Sequence, residues 1–405
     1  MNKSLLVAAL FFGLVALASA TTYFQEDFDD SWESRWVYSQ ADTEEQRGTF
    51  VHTAGKFAAD PSDKGIQTGQ DARFYKLSTT FPAFSNKDKD LVLQYTVKNE
   101  QKLDCGGGYI KLLPPGFDQT NFKGDTAYNI MFGPDVCGSR RVHAIFNYKG
   151  ENYLTTKSMS PKSDQATHVY TMIIHPNQTV VVKIDNKQIA EMTLEEDWDI
   201  FPEKEIPDPN ESKPADWVDE PMIPDPEAVK PEGWDDIPAT IPDPEATKPE
   251  DWDDELDGEW EAPMNPNPEY KGEWEAPLIE NPAYKGEWVH PKIPNPDYFH
   301  DSEAYAYEHG GAAFEIWQVT SGTIFDHILV TDSVEEATAA AEAILAKTEA
   351  EEEARKKWQE EEDAKAKAEA EAEAAQFEAE AAEDEDDDDD DDDSGADNKD
   401  LHDEL

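Results

Sequence analysis

A proline-rich segment built from repeated units constrains the fold of this chain more than any other feature. The unit IPDP...KP..W occurs three times, beginning at Ile206, Ile223 and Ile241, at spacings of 17 and 18 residues. A second unit, GEW..P...NP.Y, then occurs three times, its tryptophans 14 residues apart from Trp260 onward. Residues 201–299 hold 20 of the 27 prolines and 6 of the 11 tryptophans. Proline at this density excludes long helices and central sheet strands.

Three copies of one unit followed by three of another predict a chain that runs outward and returns, the first copy pairing with the last. Such units cannot bury a core alone, so we expect their aromatic rings to pack between the two legs of a long hairpin arm. The alternative is a disordered proline-rich linker, against which the regular tryptophans argue.

The turn of this arm falls near Asp253–Glu261. Its acidic spacing resembles an EF-hand loop, but the twelfth position is Met264 instead of the bidentate glutamate that Ca²⁺ requires there. We therefore interpret the tip as an exposed acidic surface on which Trp260 faces a basic partner.

Both ends of the chain carry targeting signals. Lys3, the apolar run Leu5–Leu17 and the small residues Ala18–Ala20 predict a secretory signal peptide, the alternative being a buried N-terminal helix. The run is too short to span a membrane, and we expect no membrane span elsewhere. The final residues His402–Leu405 form an HDEL retrieval signal, which the HDEL/KDEL receptor reads. The mature chain is therefore expected in the endoplasmic reticulum lumen.

The net charge of −57 is distributed unevenly. Residues 195–300 carry −25 and residues 341–405 carry −22, leaving −10 for the rest. This charge excludes nucleic acid as a partner and concentrates cations. We expect the acidic run at the C-terminus to be disordered without counter-ions and to bind many Ca²⁺ ions weakly, the alternative being a merely solvated tail. The expected low-affinity ligands are Asp386, Asp387, Asp388, Asp389, Asp390, Asp391, Asp392 and Asp393.

Outside the repeats and the tail, the sequence predicts a β-sandwich. Segments such as Asp90–Lys98 and Thr179–Ile189 are rich in β-branched residues and lie between Gly, Pro, Asn and Asp breakers. The same strand character returns at Gly311–Ser333, so the arm is expected to interrupt one domain of two packed sheets. From Ser333 the Ala- and Glu-rich sequence predicts one long helix that leads into the acidic tail.

The cysteine usage and the motifs argue against an enzyme. Cys105 and Cys137 are expected to form a structural disulfide in an oxidising compartment, since no C-x-x-C is present. No P-loop, G-x-S-x-G or H-E-x-x-H motif occurs. The N-glycosylation sequons begin at Asn177 and Asn210.

Two stretches that each carry one cysteine are candidates for ligand recognition. A disulfide between CGGGYIKLL and YNIMFGPDVCG would bring Tyr109, Lys111, Tyr128 and Asp135 into one neighbourhood. Stacking faces, a donor and an acceptor are what a polyhydroxylated sugar requires; ordinary sheet surface is the alternative.

These motifs, with DARFYKLS, IFNYKG, WQVTSGTIFD and both repeats, resemble the calreticulin and calnexin family of endoplasmic reticulum lectin chaperones. The resemblance covers essentially the whole mature chain. Three copies of each repeat and no transmembrane helix favour the soluble branch. The resemblance implies a legume-lectin-like jelly roll that binds monoglucosylated high-mannose glycans of newly made glycoproteins.

The resemblance also implies site residues. The carbohydrate contacts would be Tyr109, Lys111, Tyr128, Asp135, Met131, Ile145, Trp317 and Glu315, the last in place of the usual aspartate. A structural Ca²⁺ site would use the carboxylate of Asp326 and the backbone carbonyls of Asp27, Ser62 and Lys64. A thiol oxidoreductase of the protein disulfide isomerase family would dock on Glu255, Asp257, Glu259 and Trp260.

The resulting prediction is a monomeric lectin chaperone that also buffers Ca²⁺. Its parts are a signal peptide (1–20), a lectin domain in two pieces (21–200 and 301–345, the second with the start of the helix), the arm (201–300), an acidic Ca²⁺-binding region (346–401) and the retrieval signal (402–405). Two alternatives are a plain Ca²⁺ buffer and a hydrolase on the same jelly roll that would pair Asp135 with Glu315.

Overall fold

The computed structural model describes residues 20–252 and 258–386, with side chains described as far as residue 376. The chain between Glu203 and Tyr298 forms one compact unit, the arm, and the segments on either side of it form the other, the globular unit.

The strands before the arm are β1 Thr22–Glu26, β2 Val37–Tyr38, β3 Phe50–Thr53, β4 Gly65–Thr68, β5 Arg73–Ser85, β6 Leu91–Asn99, β7 Ile110–Leu113, β8 Ile130–Asp135, β9 Arg141–Tyr148, β10 Glu151–Leu154, β11 Thr167–Ile174, β12 Thr179–Ile184 and β13 Lys187–Thr193, followed by the short helix α1 Leu194–Asp197. The arm holds β14 Glu205–Pro207, β15 Met222–Pro224, β16 Thr240–Pro242, β17 Met264–Pro266, β18 Leu278–Glu280 and β19 Lys292–Pro294. After it come β20 Glu308–Gln318, β21 Thr323–Thr331, α2 Val334–Leu345 and α3 Thr348–Asp386. Single 3₁₀ turns span Trp32–Ser34 and Trp234–Asp236.

The globular unit is a sandwich of two antiparallel sheets. Sheet A has the order β13-β12-β11-β6-β21-β4-β3, with β1 also paired to β21, and sheet B has the order β10-β9-β8-β7-β20-β5-β2. Side chains from both sheets meet in one core, which includes the fully buried Tyr95, Phe132, Phe314 and Phe325. The mainly β, jelly-roll-like sandwich predicted from the sequence is confirmed for this unit.

Strand β6 illustrates how sequence and burial agree. Leu91, Leu93 and Tyr95 point into the sandwich core, since alternate side chains of a strand share a face. Val92 lies on the opposite face, where it packs in a second cluster with Ala337 of α2. Because α2 covers this outer face, nearly every residue of β6 is buried.

The predicted long C-terminal helix is confirmed as α3, but it does not begin after Ser333, because the separate helix α2 precedes it. Helix α2 ends at Leu345 and α3 begins at Thr348, with Ala346 and Lys347 between them. The segments on either side of the break make different contacts. Helix α2 packs against sheet A through small buried side chains, and at the break the Lys347 ammonium lies 2.8 Å from the carboxylate of Asp63. Over residues 20–252 and 258–386, no helix has both the length and the apolar character needed to cross a bilayer.

In the arm, the strands pair first with last. β14 pairs with β19, β15 with β18 and β16 with β17, each pair forming a three-residue antiparallel ladder. The middle residues of the first two ladders are isoleucine opposite isoleucine, Ile206 with Ile293 and Ile223 with Ile279. The arm therefore holds a row of small ladders in place of a continuous sheet, as its proline content requires.

A tryptophan side chain joins the two legs on the tip side of each ladder. The indole N–H of Trp217 donates to the carbonyl of Gly286, that of Trp234 to Gly272 and that of Trp252 to Gly258, at 2.8–3.0 Å. Each acceptor glycine has φ between +82° and +86°, a conformation that favours glycine. This hydrogen bond explains why the first repeat keeps its tryptophan and the second begins with glycine.

Gly133 on β8 marks a contact on which the globular unit depends. Its φ is +132°, and an added Cβ atom would lie 1.7 Å from the hydroxyl oxygen of Tyr95. That hydroxyl donates to the carbonyl of Gly108 at 2.7 Å and also lies 3.1 Å from the carbonyl of Phe132. The Tyr95 hydroxyl thus holds together the backbones of the segment before β7 and of β8.

We therefore predict that Gly133→Ala lowers the free energy of unfolding by about 3 kcal/mol or more, because the methyl group displaces a buried hydrogen-bonded hydroxyl. Gly138→Ala is the matched control, since Gly138 also has a positive φ (+61°) but no heavy atom within 4 Å of the added Cβ. Urea unfolding of both variants checks this, and equal destabilisation would contradict the role given to Tyr95.

Candidate functional site

The outer face of sheet B carries its own cluster of buried apolar side chains. Leu113, Met131 and Ile145 alternate with core-facing neighbours on β7, β8 and β9, so they lie on the face away from the sandwich core. Phe122 and Tyr128, from the segment joining β7 to β8, and Ala313 on β20 complete the cluster. An outer sheet face is usually polar and solvated, so a buried apolar cluster there distinguishes this surface from ordinary sheet.

A buried ion pair lies beside this cluster. The Lys111 ammonium is 2.9 Å from the Glu315 carboxylate, and Lys111 is only 2% exposed. The same ammonium lies 4.9 Å from the centre of the Tyr128 ring. Burial, followed by the Glu315 carboxylate, raises the pKa of Tyr128 to about 12, so its hydroxyl remains a donor at neutral pH. Tyr109 has its pKa raised by the same burial and by Glu315, Asp135 and Tyr128.

Asp135 is held by its neighbours at the end of β8. One of its carboxylate oxygens accepts the backbone N–H of Cys137 at 2.8 Å, and the other lies 3.4 Å from Nε2 of His143. Cys137 forms the predicted disulfide with Cys105, which fixes the segment leading to Tyr109.

Sequence reasoning missed His143, although it lies two residues before Ile145 on β9 and shares its face. The ring of His143 also contacts that of Tyr109 edge to face, with centroids 6.1 Å apart. Trp317 lies two residues beyond Glu315 on β20, and its ring is 4.6 Å from that of Phe74. The structure thus places the eight predicted carbohydrate residues on adjacent strands or next to them.

This surface offers aromatic faces, a charged donor and carboxylate acceptors, the groups that recognise hydroxyl-rich ligands. Of its two carboxylates, Glu315 is ion-paired with buried Lys111 and Asp135 accepts a backbone hydrogen bond.

A second constellation lies on sheet A, where three segments meet at β21. β21 pairs with β6 along one edge. On its other edge it pairs first with β4, which brings Ile66 opposite Phe325, and then with β1, which brings Glu26 opposite Ile328. The pairing with β6 shifts register between Asp326 and Leu329, and His327 has φ +49°. A bulge of this kind re-aims side chains.

Asp326 is the buried acid of this constellation. It is 6% exposed, and burial raises its pKa to about 7. A bound cation that prefers oxygen ligands, such as Ca²⁺, would stabilise the charged form of this buried carboxylate. The side chains of Ser62 and Lys64 hydrogen-bond to Asp60 and Asp30, so these residues could reach a cation only through their backbone carbonyls, and that role stays a prediction. The buried carboxylate of Asp326 is itself a ligand type that suits Ca²⁺.

The structure adds two groups here that the sequence did not reveal. Ligand atoms of Asp63, Asp326 and His327 lie within 4.8 Å of one another. His327 Nε2 is 3.4 Å from the Asp63 carboxylate, and this hydrogen bond, opposed by burial, lowers the pKa of Asp63. The convergence depends on the bulge in β21, which has no local sequence signal.

The remaining predicted residues are exposed or fall outside the description. Asn177 lies in the turn between β11 and β12 and Asn210 after β14, both exposed. At the arm tip, Glu259 is exposed and Trp260 is half-buried, whereas Glu255 and Asp257 lie outside the described residues. The backbone of α3 continues to Asp386; Asp387–Asp393 are not described.

Comparison with known proteins identifies the family. The Calreticulin family model matches residues 24–258 and 255–330. Calreticulin of Dictyostelium discoideum is 58% identical over 339 residues, covering 82% of this chain and 80% of that protein. Calreticulin of Bos taurus is 59% identical over 336 residues, covering 81% and 80%.

A solved structure agrees with this assignment. The globular domain of Trypanosoma cruzi calreticulin superposes with a TM-score of 0.60 at 31% identity, covering 84% of this chain and 99% of that one. The motifs, the sandwich interrupted by a repeat arm and these matches lead to one conclusion: the chain belongs to the calreticulin family of non-enzymatic, calcium-binding lectin chaperones.

Proposed function

We propose that this chaperone binds monoglucosylated high-mannose N-glycans of newly made glycoproteins on the outer face of sheet B. The observation that carries the proposal is the buried Lys111–Glu315 pair between Tyr109 and Tyr128, with Asp135 two residues from the disulfide. Tyr109 and Tyr128 supply stacking faces and hydroxyl donors, the ammonium supplies a charged donor, and the carboxylates accept sugar hydroxyls. Met131, Ile145 and Trp317 supply apolar contact area.

Glu315 suits this role despite its extra methylene group. Its carboxylate is ion-paired with Lys111. Gly124 leaves room for the longer side chain, since a Cβ atom at that position would lie only 3.4 Å from the Glu315 carboxylate. The ion pair positions both partners before a sugar arrives, which lowers the entropic cost of ordering them on binding.

Asp135→Asn is predicted to weaken binding of a glucose-capped mannose oligosaccharide about 10- to 100-fold, because a charged acceptor is lost. Isothermal titration of the mature protein in millimolar Ca²⁺ measures this, beside the same glycan without glucose. The control is Glu151→Gln, an exposed acid on β10 of the same sheet. Equal binding by Asp135→Asn and wild type, or no preference for glucose in wild type, would refute the assignment.

We also propose one structural Ca²⁺ site at Asp326, with the carbonyls of Asp27, Ser62 and Lys64 as further ligands. Bound there, Ca²⁺ would neutralise a buried carboxylate and hold β1, β4 and β21 together. The acidic residues Asp386–Asp393 are proposed to bind further Ca²⁺ weakly, because their mutual repulsion favours counter-ions over any one geometry.

Asp326→Asn is predicted to abolish the stabilisation by Ca²⁺ and to leave the metal-free protein at least as stable as wild type, since a desolvated charge is removed. For wild type, Ca²⁺ at about a hundredfold its Kd should raise Tm by roughly 5–10 °C. Thermal scans with and without Ca²⁺ measure both effects, with Asp199→Asn, an exposed acid, as control. A full Ca²⁺ response in Asp326→Asn would exclude this site.

The arm tip is proposed to recruit an oxidoreductase of the protein disulfide isomerase family through Glu255, Asp257, Glu259 and Trp260. The composition of the arm supports this, since residues 203–298 hold 28 Asp and Glu against 7 Lys. The signal peptide and the HDEL signal support action in the endoplasmic reticulum lumen, with retrieval by the HDEL/KDEL receptor. A monomer is proposed.

Trp260→Ala is predicted to weaken binding of such an oxidoreductase at least about tenfold, as for a central aromatic contact. Trp288→Ala is the matched control, since Trp288 occupies the same position of the last repeat. Surface plasmon resonance at two salt concentrations measures both variants, and glycan binding should be unchanged. Equal effects of the two substitutions would place the contact away from the tip.

A further inference from the structure

The candidate cation site on sheet A, formed by Asp63, Asp326 and His327, lies in the same cavity as the junction between α2 and α3. Asp63, Asp326 and His327 line this cavity, and so do Lys347 and Glu351. The proposed Ca²⁺ site and the start of α3 are therefore neighbours in space, although the chain separates Asp63 from Lys347 by 284 positions.

Asp63 already has a cationic partner in this arrangement. The Lys347 ammonium lies 2.8 Å from one oxygen of its carboxylate, and His327 Nε2 lies 3.4 Å from the other. The same carboxylate is close enough to that of Asp326 for one ion to bind both. A divalent ion on Asp63 and Asp326 would have to share Asp63 with the ammonium, and like charges at this distance repel.

Lys347 is also part of the framework of α3. Its carbonyl accepts the backbone N–H of Glu351 at 3.0 Å, the first hydrogen bond of the helix. One turn on, the buried Glu351 carboxylate pairs with Lys98 at 3.0 Å and accepts the hydroxyl of Thr167 at 2.8 Å.

Further along α3, the ring of Trp358 packs against Phe57 with centroids 5.8 Å apart. The start of α3 is thus attached to the rest of the globular unit at three points: Lys347 contacts Asp63, Glu351 contacts Lys98 and Thr167, and Trp358 contacts Phe57.

We propose that Asp63 is a further Ca²⁺ ligand and that Lys347 is a tethered competitor for it, so that Ca²⁺ binding and docking of the α2–α3 junction oppose each other. Without Ca²⁺, the ammonium neutralises Asp63. When Ca²⁺ binds Asp63 and Asp326, the ammonium is displaced and the first turn of α3 loses one of its attachments. By linkage, bound Ca²⁺ weakens the Lys347–Asp63 contact by the same factor by which the contact weakens Ca²⁺ binding.

Because Lys347 is partly exposed, its competition with Ca²⁺ can be tested apart from any contribution it makes to the stability of the fold. Its side chain is 46% exposed and that of Asp63 29%, and ion pairs at such positions add little to stability. Removing the ammonium should therefore leave the metal-free fold almost unchanged while removing the competitor. The inference rests on the proposed Ca²⁺ site, which Asp326→Asn tests separately.

The test compares Lys347→Gln with Lys357→Gln in the full chain. Lys357 lies on the same helix, 80% exposed, and contacts only Glu361 at 4.0 Å among the ion pairs of the described residues. Competition against a chromogenic chelator gives the affinity of the tight Ca²⁺ class, apart from the weak sites of the tail. We expect Lys347→Gln to raise that affinity about three- to tenfold and Lys357→Gln to change it less than about twofold.

A second readout follows the helix itself. Hydrogen exchange of the amides of residues 348–353 should become faster when Ca²⁺ is added to wild type, and should not respond to Ca²⁺ in Lys347→Gln. Asp63→Asn should lose at least about tenfold in tight Ca²⁺ affinity.

The outcomes separate the two claims. An unchanged or lowered affinity in Lys347→Gln would overturn the competition, and wild-type affinity in Asp63→Asn would overturn the added ligand. Tight binding that persists in Asp326→Asn would mean instead that the proposed site itself is wrong.

Discussion

The globular unit closes only when two strands from beyond the arm enter the middle of its two sheets. β20 lies between β5 and β7 in sheet B, and β21 lies between β4 and β6 in sheet A. Backbone groups at these central positions have no other partners, and an unpaired buried amide or carbonyl is costly. The chain segments before and after the arm, which end at Pro202 and resume at Phe299, are therefore joined into one unit by strand pairing. Both candidate sites depend on this closure, since Glu315 and Trp317 lie on β20 and Asp326 on β21.

Ion pairs in the globular unit and in the arm differ in how deeply they are buried. Inside the globular unit, the buried ammonium groups of Lys98 and Lys111 are matched by the carboxylates of Glu100, Glu351 and Glu315. Breaking such a buried pair leaves an uncompensated charge, so these contacts specify geometry more than they add stability. In the arm, ion pairs such as Lys285 with Asp216 are exposed and screened by salt.

The sequence predicted well what depends on local repetition or on long motifs. The repeats indicated the pairing of the legs, and the alternation of β-branched residues indicated a sandwich, whereas the carbohydrate contacts that the resemblance implies stay a prediction. It did not predict features set by register and bulges. Asp63, His327 and Lys347 meet because β21 is irregular after Asp326 and because the C-terminal helix breaks before Thr348. Neither event has a compositional signal, since Ala346 and Lys347 are ordinary helix formers.

The hydrogen bonds from tryptophan to glycine carbonyls have a consequence for how such a protein can change over evolutionary time. Each joins one copy of the first unit to one copy of the second, and each ladder is complete within that pair. A pair can therefore be gained or lost as a module without leaving an unsatisfied strand in its neighbours. The number of such pairs can therefore change while the residues on the outer face of sheet B and those around Asp326 keep their sequences.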